Sequence, residues 1–243
     1  VTMPYGNVGS MVSWGSDGNI EYFQKIKKDL SFTLRANYLY SLNKVLRWEE
    51  PEQRFPYKER SGYPTDVQRG YISLGLFEDE LDVLSSPTQF GVVRPGDIKY
   101  KDVNGDGRIN EDDMVPLFAS FGGFNPPAFS YGVGGSLNYK KFSLNFLFKG
   151  IGNRYFLWGG SDGGRFNGYM PFNQGERGNV LSIAYEQKNR WTSAEYSGDP
   201  ATENSNVLFP RLSYGKNENN TKPSTFWMGN SKYLKLQEVS LNY

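Results

Sequence analysis

The chain has 243 residues, a formal net charge of +1, and neither cysteine nor histidine. The missing cysteines exclude a disulfide scaffold and thiol catalysis, and the missing histidines exclude Ser-His-Asp hydrolysis and His-ligated zinc. The small net charge creates no strong overall field that would attract nucleic acid or an acidic membrane.

Aromatic residues make up 16% of the chain, which also contains 28 glycines. This composition indicates an all-β protein. The mean hydropathy is -0.61, and no apolar run approaches the ~20 residues of a membrane helix. A membrane barrel stays possible, because its strands alternate between apolar and polar residues and their average hydropathy is low.

The first strands are predicted in the N-terminal fifth of the chain. Residues 1–18 are rich in Gly and Ser and show no clear pattern, whereas residues 20–26 predict a strand, followed by a turn at 27–29. The next stretch alternates over about a dozen residues, with Leu30, Phe32, Leu34, Ala36, Tyr38 and Tyr40 on one face. This length exceeds that of an ordinary strand (~5–6 residues) and fits a tilted membrane strand of ~9–11.

A second hairpin is predicted over residues 130–150, with its turn at Lys140-Lys141. One face is apolar with aromatics near its ends, and the other is small and polar, as in a barrel wall between lipid and a wet lumen. The alternative is a strand pair of a soluble β-sandwich with one face in a core. Residues 232–243 predict a last strand, whose apolar parity switches near Gln237-Glu238 and so suggests a bulge or a strand that leaves the bilayer.

The connections at 43–129 and 151–230 are long and show little periodicity. Such lengths argue against a compact sandwich. They favour a large antiparallel transmembrane β-barrel with short turns on the periplasmic side and long extracellular loops.

Residues 102–113 have the spacing of an EF-hand calcium loop. Side-chain oxygens stand at loop positions 1, 3, 5, 9 and 12, a glycine stands at position 6, and position 7 offers its backbone carbonyl. The predicted ligands are Asp102, Asn104, Asp106, Arg108, Asn110 and Asp113. Asp113 replaces the usual bidentate Glu, which predicts a weaker site. The alternative is a metal-free turn, because Asp, Asn and Gly are also common turn residues.

Several other side chains have groups that could bind a ligand or act in catalysis. Phe156, Trp158, Trp191 and Trp227 can stack on sugar rings or pack within loops, and packing is the prediction. Neighbouring acidic residues, such as Glu49-Glu50 and Asp112-Asp113, do not predict a glycosidase pair, since sequence neighbours on a loop are usually solvated. No catalytic residue is predicted, and the chain is not expected to be an enzyme.

Several stretches, in order and with matching spacing, resemble the C-terminal part of SusC/RagA-type TonB-linked outer-membrane transporters of Bacteroidetes. They are residues 70–77, 95–107 with Ile109 and Asp113, Asn125-Pro126-Pro127, Tyr131-Gly132, 148–150, 190–192, 210–213, Asn219-Asn220, 224–227 and 231–243.

The resemblance implies that residues 1–243 are the C-terminal portion of such a barrel, with the plug domain and the final strands absent. Because the short turns are expected on the periplasmic side, residues 95–115, with the calcium loop, are expected within an extracellular loop. It implies outer-membrane import of oligosaccharides or peptides. The implied partners are a SusD-like surface lipoprotein, the TonB complex through the missing N-terminal regions, and outer-membrane lipid, with no nucleic acid. One alternative stays open from the residues alone: a secreted, calcium-stabilised β-domain that binds glycan or protein. A β-sandwich hydrolase is disfavoured by the absence of His and Cys and of a carboxylate pair in a suitable context.

Overall fold

A computed structural model of the protein describes residues 6–117, 120–121, 128–152, 154–157, 180–214 and 217–243. The strands are β1 (Gly9–Lys27), β2 (Leu30–Trp48), β3 (Gln68–Gly70), β4 (Ser73–Leu76), β5 (Ile98–Tyr100), β6 (Val115–Leu117), β7 (Ser120–Phe121), β8 (Phe129–Tyr139), β9 (Phe142–Gly152), β10 (Tyr155–Leu157), β11 (Met228–Asn230) and β12 (Tyr233–Asn242). The α-helices are α1 (Glu80–Ser85), α2 (Ser182–Tyr185) and α3 (Ala194–Ser197). In these described ranges, no helix is both long enough and apolar enough to cross a membrane.

Five strands form one antiparallel sheet in the order β1-β2-β8-β9-β12. The tight turns β1–β2 and β8–β9 lie side by side at one end of this sheet, since the Lys140 N–H donates to the Asp29 carbonyl at 2.9 Å. The predicted antiparallel arrangement is confirmed for this sheet, whereas the short strands β7 and β10 pair in parallel. The sheet is open in this chain, with β1 and β12 as its edges.

The register of the sheet separates an apolar face from a polar face. Residues paired across neighbouring strands share a face, and the pairs Phe32↔Leu137, Leu137↔Leu144 and Leu144↔Leu241 therefore form one apolar row. The predicted alternation of β2, β8 and β9 is confirmed.

A bulge in β12 preserves this apolar face along the whole strand. The register shifts between Leu236 and Glu238, so Leu236 pairs with Phe148 and Val239 pairs with Phe146. One extra residue reverses the strand's parity, and apolar residues on both sides of the bulge consequently face the same way. The bulge predicted near Gln237-Glu238 is confirmed.

The first hairpin is longer than predicted, because β1 begins at Gly9 rather than near Ile20. Its glycines lie opposite aromatic side chains: a Cβ on Gly9 would stand 2.7 Å from Trp48 Cε3, and one on Gly18 would stand 2.7 Å from Tyr38 Cε1. Close approach of the partner ring therefore explains glycines that resemble loop residues in the sequence. β2 pairs with β8 only as far as Tyr40, so its remaining residues project beyond the sheet as a two-stranded ribbon with β1. There the Val45 N–H donates to the Tyr63 carbonyl and the Val45 carbonyl accepts from the Gly62 N–H, both at 2.8 Å.

The long connections have a hydrophobic core of their own. We call this unit the loop module and define it as the described residues of 50–117, 154–157 and 180–231. Its buried apolar residues are Tyr71, Leu76, Ile98, Tyr100, Ile109, Leu117, Leu157, Ala184, Trp191, Phe209 and Trp227. The connections are thus long, as predicted, but they pack around a core instead of lying on the surface.

A buried polar network joins distant segments of the loop module. The carboxylate of Asp97 is fully buried and accepts hydrogen bonds from Arg211 (2.9 Å) and Asn220 (2.8 Å). Asn219 donates to the carbonyl of Ile98, and the Ile98 N–H donates to Asn220 Oδ1 at 2.9 Å. Because buried polar groups are costly unless paired, this network fixes residues 97–98 against Arg211, Asn219 and Asn220.

Candidate functional site

The predicted calcium ligands lie in one turn of chain that is closed by side-chain to backbone hydrogen bonds. Asp102 accepts from the N–H groups of Gly105 (2.6 Å) and Gly107 (2.8 Å). Asp106 accepts from the N–H of Arg108 at 2.9 Å, and this bond holds the pKa of Asp106 below its usual value. Gly105 and Gly107 have φ values of 76° and 81°, a left-handed conformation that glycine adopts without strain.

Asp113 closes the loop from within the protein. It is fully buried, and its two oxygens accept from the N–H groups of Val103 (2.7 Å) and Asn110 (2.9 Å). Asn110 in turn caps the 3-10 helix Glu111–Asp113, completing a reciprocal capping box. The residue at loop position 12 therefore has a structural role that does not depend on an ion.

The donor types of this loop suit calcium, which prefers carboxylate, amide and carbonyl oxygens. Among the described residues, no three acidic side chains form a metal-binding group by themselves, so amide and carbonyl oxygens would have to complete a calcium site here. The amide nitrogens of Asn104 and Asn110, at 3.1 and 3.2 Å, point to Asp106 Oδ2. In this form the loop satisfies its own charges with N–H donors, and calcium stays a prediction.

A neighbouring segment clamps the calcium-like loop in a way that the sequence did not indicate. The Tyr57 hydroxyl donates to the Asp112 carbonyl at 2.7 Å, and Lys58 Nζ lies 3.3 Å from Asp112 Oδ1 and also donates to the Glu111 carbonyl. Burial raises the pKa of Tyr57, and the negative charges of Asp113 and Asp112 raise it further. The loop is thereby tied to the connection that follows β2.

The apolar face of the main sheet has the dimensions of a lipid-facing surface. Leu34 and Val133 are each 44% exposed and Leu241 is 69% exposed, so no second sheet in the described part of the chain covers them. The face runs for 11 residues of β8, about 33 Å along the strand, which at a tilt of ~45° matches an apolar band ~25 Å tall.

Aromatic residues lie at both ends of this face. Tyr38↔Tyr131 and Tyr40↔Phe129 pair near the loop module, and Tyr139↔Phe142 pair at the turns. Aromatic girdles at the two water interfaces are typical of membrane barrels. The sandwich alternative requires this face to be in a core, and the exposed apolar residues argue against it.

The opposite face of the sheet is polar and bears a groove. Glu21 and Arg35 form an ion pair there at 3.0 Å, and Asn37 lies next to Gly132, where a Cβ would stand 2.6 Å from Asn37 Oδ1. These side chains line a groove of about 590 Å³ that also borders Asn145. A polar, charged inner wall of this kind is typical of a barrel lumen.

The two loop tryptophans that the structure describes are packed in the core, as predicted. Trp227 is fully buried and its Nε1 donates to the Asn220 carbonyl at 3.0 Å, while Trp191 is 5% exposed. Phe156 is half-buried in β10, and Trp158 lies outside the described residues, as does the Asn125-Pro126-Pro127 motif. The described loop tryptophans therefore contribute to the core and present no stacking surface to a sugar.

These features define a portion of a large membrane β-barrel: a sheet with one apolar and one polar face, aromatic residues at both ends of the apolar face, and the loop module with its own core at one end. No protein-family model matches the chain. A TonB-dependent receptor, P26 of Formosa agariphila, is 30% identical over 183 residues, which are 75% of this chain and 16% of that protein.

Solved structures of the RagAB peptide transporter have the same fold. One covers 99% of this chain with a TM-score of 0.60 and 17% identity, and a second, in an "open-open" state, has a TM-score of 0.56 and 18% identity. The chain spans about a quarter of the matched structures and a smaller share of the receptor.

These matches confirm the resemblance to SusC/RagA-type TonB-dependent transporters, and with it the outer-membrane location. The predicted fold class, a part of a large antiparallel transmembrane barrel, is confirmed as well.

Proposed function

We propose that this chain is part of an outer-membrane importer that takes up oligosaccharides or peptides and is energised through TonB. The observation that supports this most directly is the agreement between its fold and that of the RagAB peptide transporter over 99% of its length. A SusD-like surface lipoprotein is the proposed partner, and no catalytic activity is expected.

Each part of the chain has a role under this proposal. The apolar face of the sheet contacts lipid, and the polar face with Glu21, Arg35 and Asn37 forms part of the lumen wall. The loop module lies beyond one end of the sheet, where it would contact substrate and the lipoprotein. Its buried core and the Asp97 network give it the rigidity that a partner surface needs.

Uptake in cells tests this function. Cells that lack the full-length protein are compared with complemented cells for uptake of labelled oligosaccharides and oligopeptides, with and without the proton gradient. We expect gradient-dependent uptake of one of the two classes only in complemented cells, and co-purification of a lipoprotein with the full-length protein. Equal uptake in both strains over a broad panel of both classes would contradict the proposal.

We also propose calcium as a structural ion of the loop at 102–113. Asp102, Asn104, Asp106, Asn110 and Asp113 would supply side-chain oxygens, and Arg108 would supply its carbonyl. The two positive charges of the ion would offset most of the charge of the three carboxylates and hold the loop together, with no catalytic part.

Protease resistance of the full-length protein tests this site. We expect calcium to protect the loop module and a chelator to remove that protection, with the effect lost in Asp102→Ala and kept in the control Asp66→Asn, an exposed position. Identical cleavage with calcium and with chelator would show that the N–H donors alone hold the loop.

A further inference from the structure

We propose that the turn end of the sheet is a docking surface for anionic phospholipid headgroups. We call it the lysine rim and define it as Lys27, Lys28, Lys140 and Lys141. The proposal rests on the function proposed above, since it requires that the sheet spans a membrane. It adds a lipid preference that neither the fold nor the comparisons assign.

The two turns bring the four lysines together from distant parts of the chain. Leu30 pairs with Tyr139, and the Lys140 N–H donates to the Asp29 carbonyl at 2.9 Å, so the two turns are direct neighbours. All four lysines are exposed, and Asp29 is the one acidic residue within the turns themselves. Among the ion pairs of the described residues, none includes a lysine of the rim.

The lysine rim lies at the border of the apolar face, where headgroups would be. Lys141 Nζ lies 6.0 Å from the ring centre of Tyr243, and Lys140 Nζ lies 5.4 Å from that of Tyr139. Tyr243 also contacts Phe142, with ring centres 5.0 Å apart. Aromatic rings of this kind occupy the membrane interface, so the ammonium groups are held at the same level.

Lys27 extends the rim onto the lipid side. It pairs with Leu30 after a register shift in β1, and Leu30 belongs to the apolar face. A lysine in this position buries its methylene groups along apolar surface and raises its charge to the interface. An anionic lipid headgroup fits this arrangement better than a protein would, because the lysines are adjacent to a surface that itself requires lipid.

The net charge of the whole chain conceals this surface. Acidic residues elsewhere bring the total to +1, whereas the two turns contain four lysines against one aspartate. Each lysine near an anionic membrane surface strengthens association about fivefold. Such local attraction decreases over about 8 Å at physiological ionic strength, so it acts on the headgroups next to the turns.

The test measures lipid selectivity of the full-length protein in mixed phosphatidylcholine and phosphatidylglycerol vesicles. Spin-labelled lipids report the relative association of each lipid with the protein surface. We compare wild type with the variant that carries Lys→Gln at 27, 28, 140 and 141. The matched control removes the same charge from exposed lysines elsewhere, at Lys44, Lys101, Lys188 and Lys232.

We expect wild type to prefer phosphatidylglycerol over phosphatidylcholine. In the rim variant this ratio should decrease at least about twofold. The local effect is about fivefold per lysine, but most labelled lipids contact other parts of the barrel, so the measured change is smaller. The control and a Lys→Arg variant of the rim should keep the preference. Equal preference in wild type and in the Lys→Gln variant would overturn the proposal.

Two further arms separate the other outcomes. Inorganic phosphate at matched ionic strength should leave the preference for phosphatidylglycerol unchanged. If phosphate abolished this preference, the rim would be a site for free phosphate, and its role in lipid binding would be overturned. Insertion is checked first in vesicles of phosphatidylcholine alone. Failure of wild type to insert there would contradict the proposed membrane function and this inference together, whereas insertion without lipid preference would overturn this inference only.

Discussion

The substitution Asp97→Asn tests whether a buried charge holds the loop module together. Asp97 Oδ2 accepts from the Arg94 N–H and from Arg211 Nη2, both at 2.9 Å. Oδ1 accepts from the side-chain amides of Asn217 (3.0 Å) and Asn220 (2.8 Å). An asparagine at this position would direct its own NH₂ group at two donors, whichever way its amide turned.

The expected cost follows from these contacts. Removal of one partner of a buried ion pair costs about 3–5 kcal/mol, because the remaining charge stays buried and unpaired. Since Asn220 also accepts from the Ile98 N–H, the loss should reach β5. At ~1.4 kcal/mol per tenfold, the protection of the β5 amides against exchange should decrease by about two to three and a half orders of magnitude.

Hydrogen exchange of the full-length protein, followed by mass spectrometry, measures this effect on peptides that cover residues 96–101. Asp66→Asn is the matched control, because Asp66 is exposed and lies outside the network. Exchange in Asp97→Asn that equals exchange in the control would refute the argument that the network stabilises the module.

Two other changes test the same module. Burial acts to raise the pKa of Asp82, but hydrogen bonds from Lys99 (2.6 Å) and from the Glu78 N–H outweigh it and lower that pKa. The stability from Asp82 is therefore fully present above the unfolded pKa of about 3.9 and is lost as the pH falls through the lower folded value. Asp82→Asn should lower the free energy of unfolding by about 1 kcal/mol at neutral pH. It should also flatten the decrease of protease resistance with falling pH. An unchanged pH curve would show that the Asp82–Lys99 ion pair does not cause this decrease. Trp227→Ala should cost about 3–5 kcal/mol through a cavity in the core, measured as lost protease resistance, while Tyr214→Ala, at 95% exposure, should have no effect; equal behaviour of the two variants would contradict the assigned core.

The regular part of the fold could be predicted because the relevant information is local. Alternation over 130–150 predicted β8 and β9 at nearly their observed length, alternation over Leu30–Tyr40 predicted the first part of β2, and the parity switch near Gln237 predicted the bulge. A period of two reports directly which face of a strand is apolar, so these elements needed no knowledge of their partners.

The start of β1 could not be predicted in this way. Gly9 and Gly18 weaken a strand pattern when read alone, because glycine has no side chain to pack. Their role depends on Trp48 and Tyr38, which lie over them from β2. Only the pairing register shows that these glycines leave space for aromatic rings.

The loop module also depends on contacts between distant residues. Asn219 and Ile98, which share a hydrogen bond, are separated by 121 positions, and short strands with little periodicity leave no local signal. The calcium-like loop was found from its spacing, but its attachment to Tyr57 and Lys58 was not. Such a clamp follows from the path of the chain after β2, which the sequence pattern does not specify.

Accessibility along β2 is the most direct test of the central claim, that this sheet is a barrel wall with lipid on one face and water on the other. Nitroxide labels are placed singly at residues 33–38 of the full-length protein in vesicles, and their collision rates with oxygen and with a polar nickel complex are measured. The labels at 34, 36 and 38 should favour oxygen and those at 33, 35 and 37 the nickel complex, with a period of two. Equal accessibility to both reagents at all six positions, or burial of 34, 36 and 38 from both, would contradict a membrane-spanning sheet.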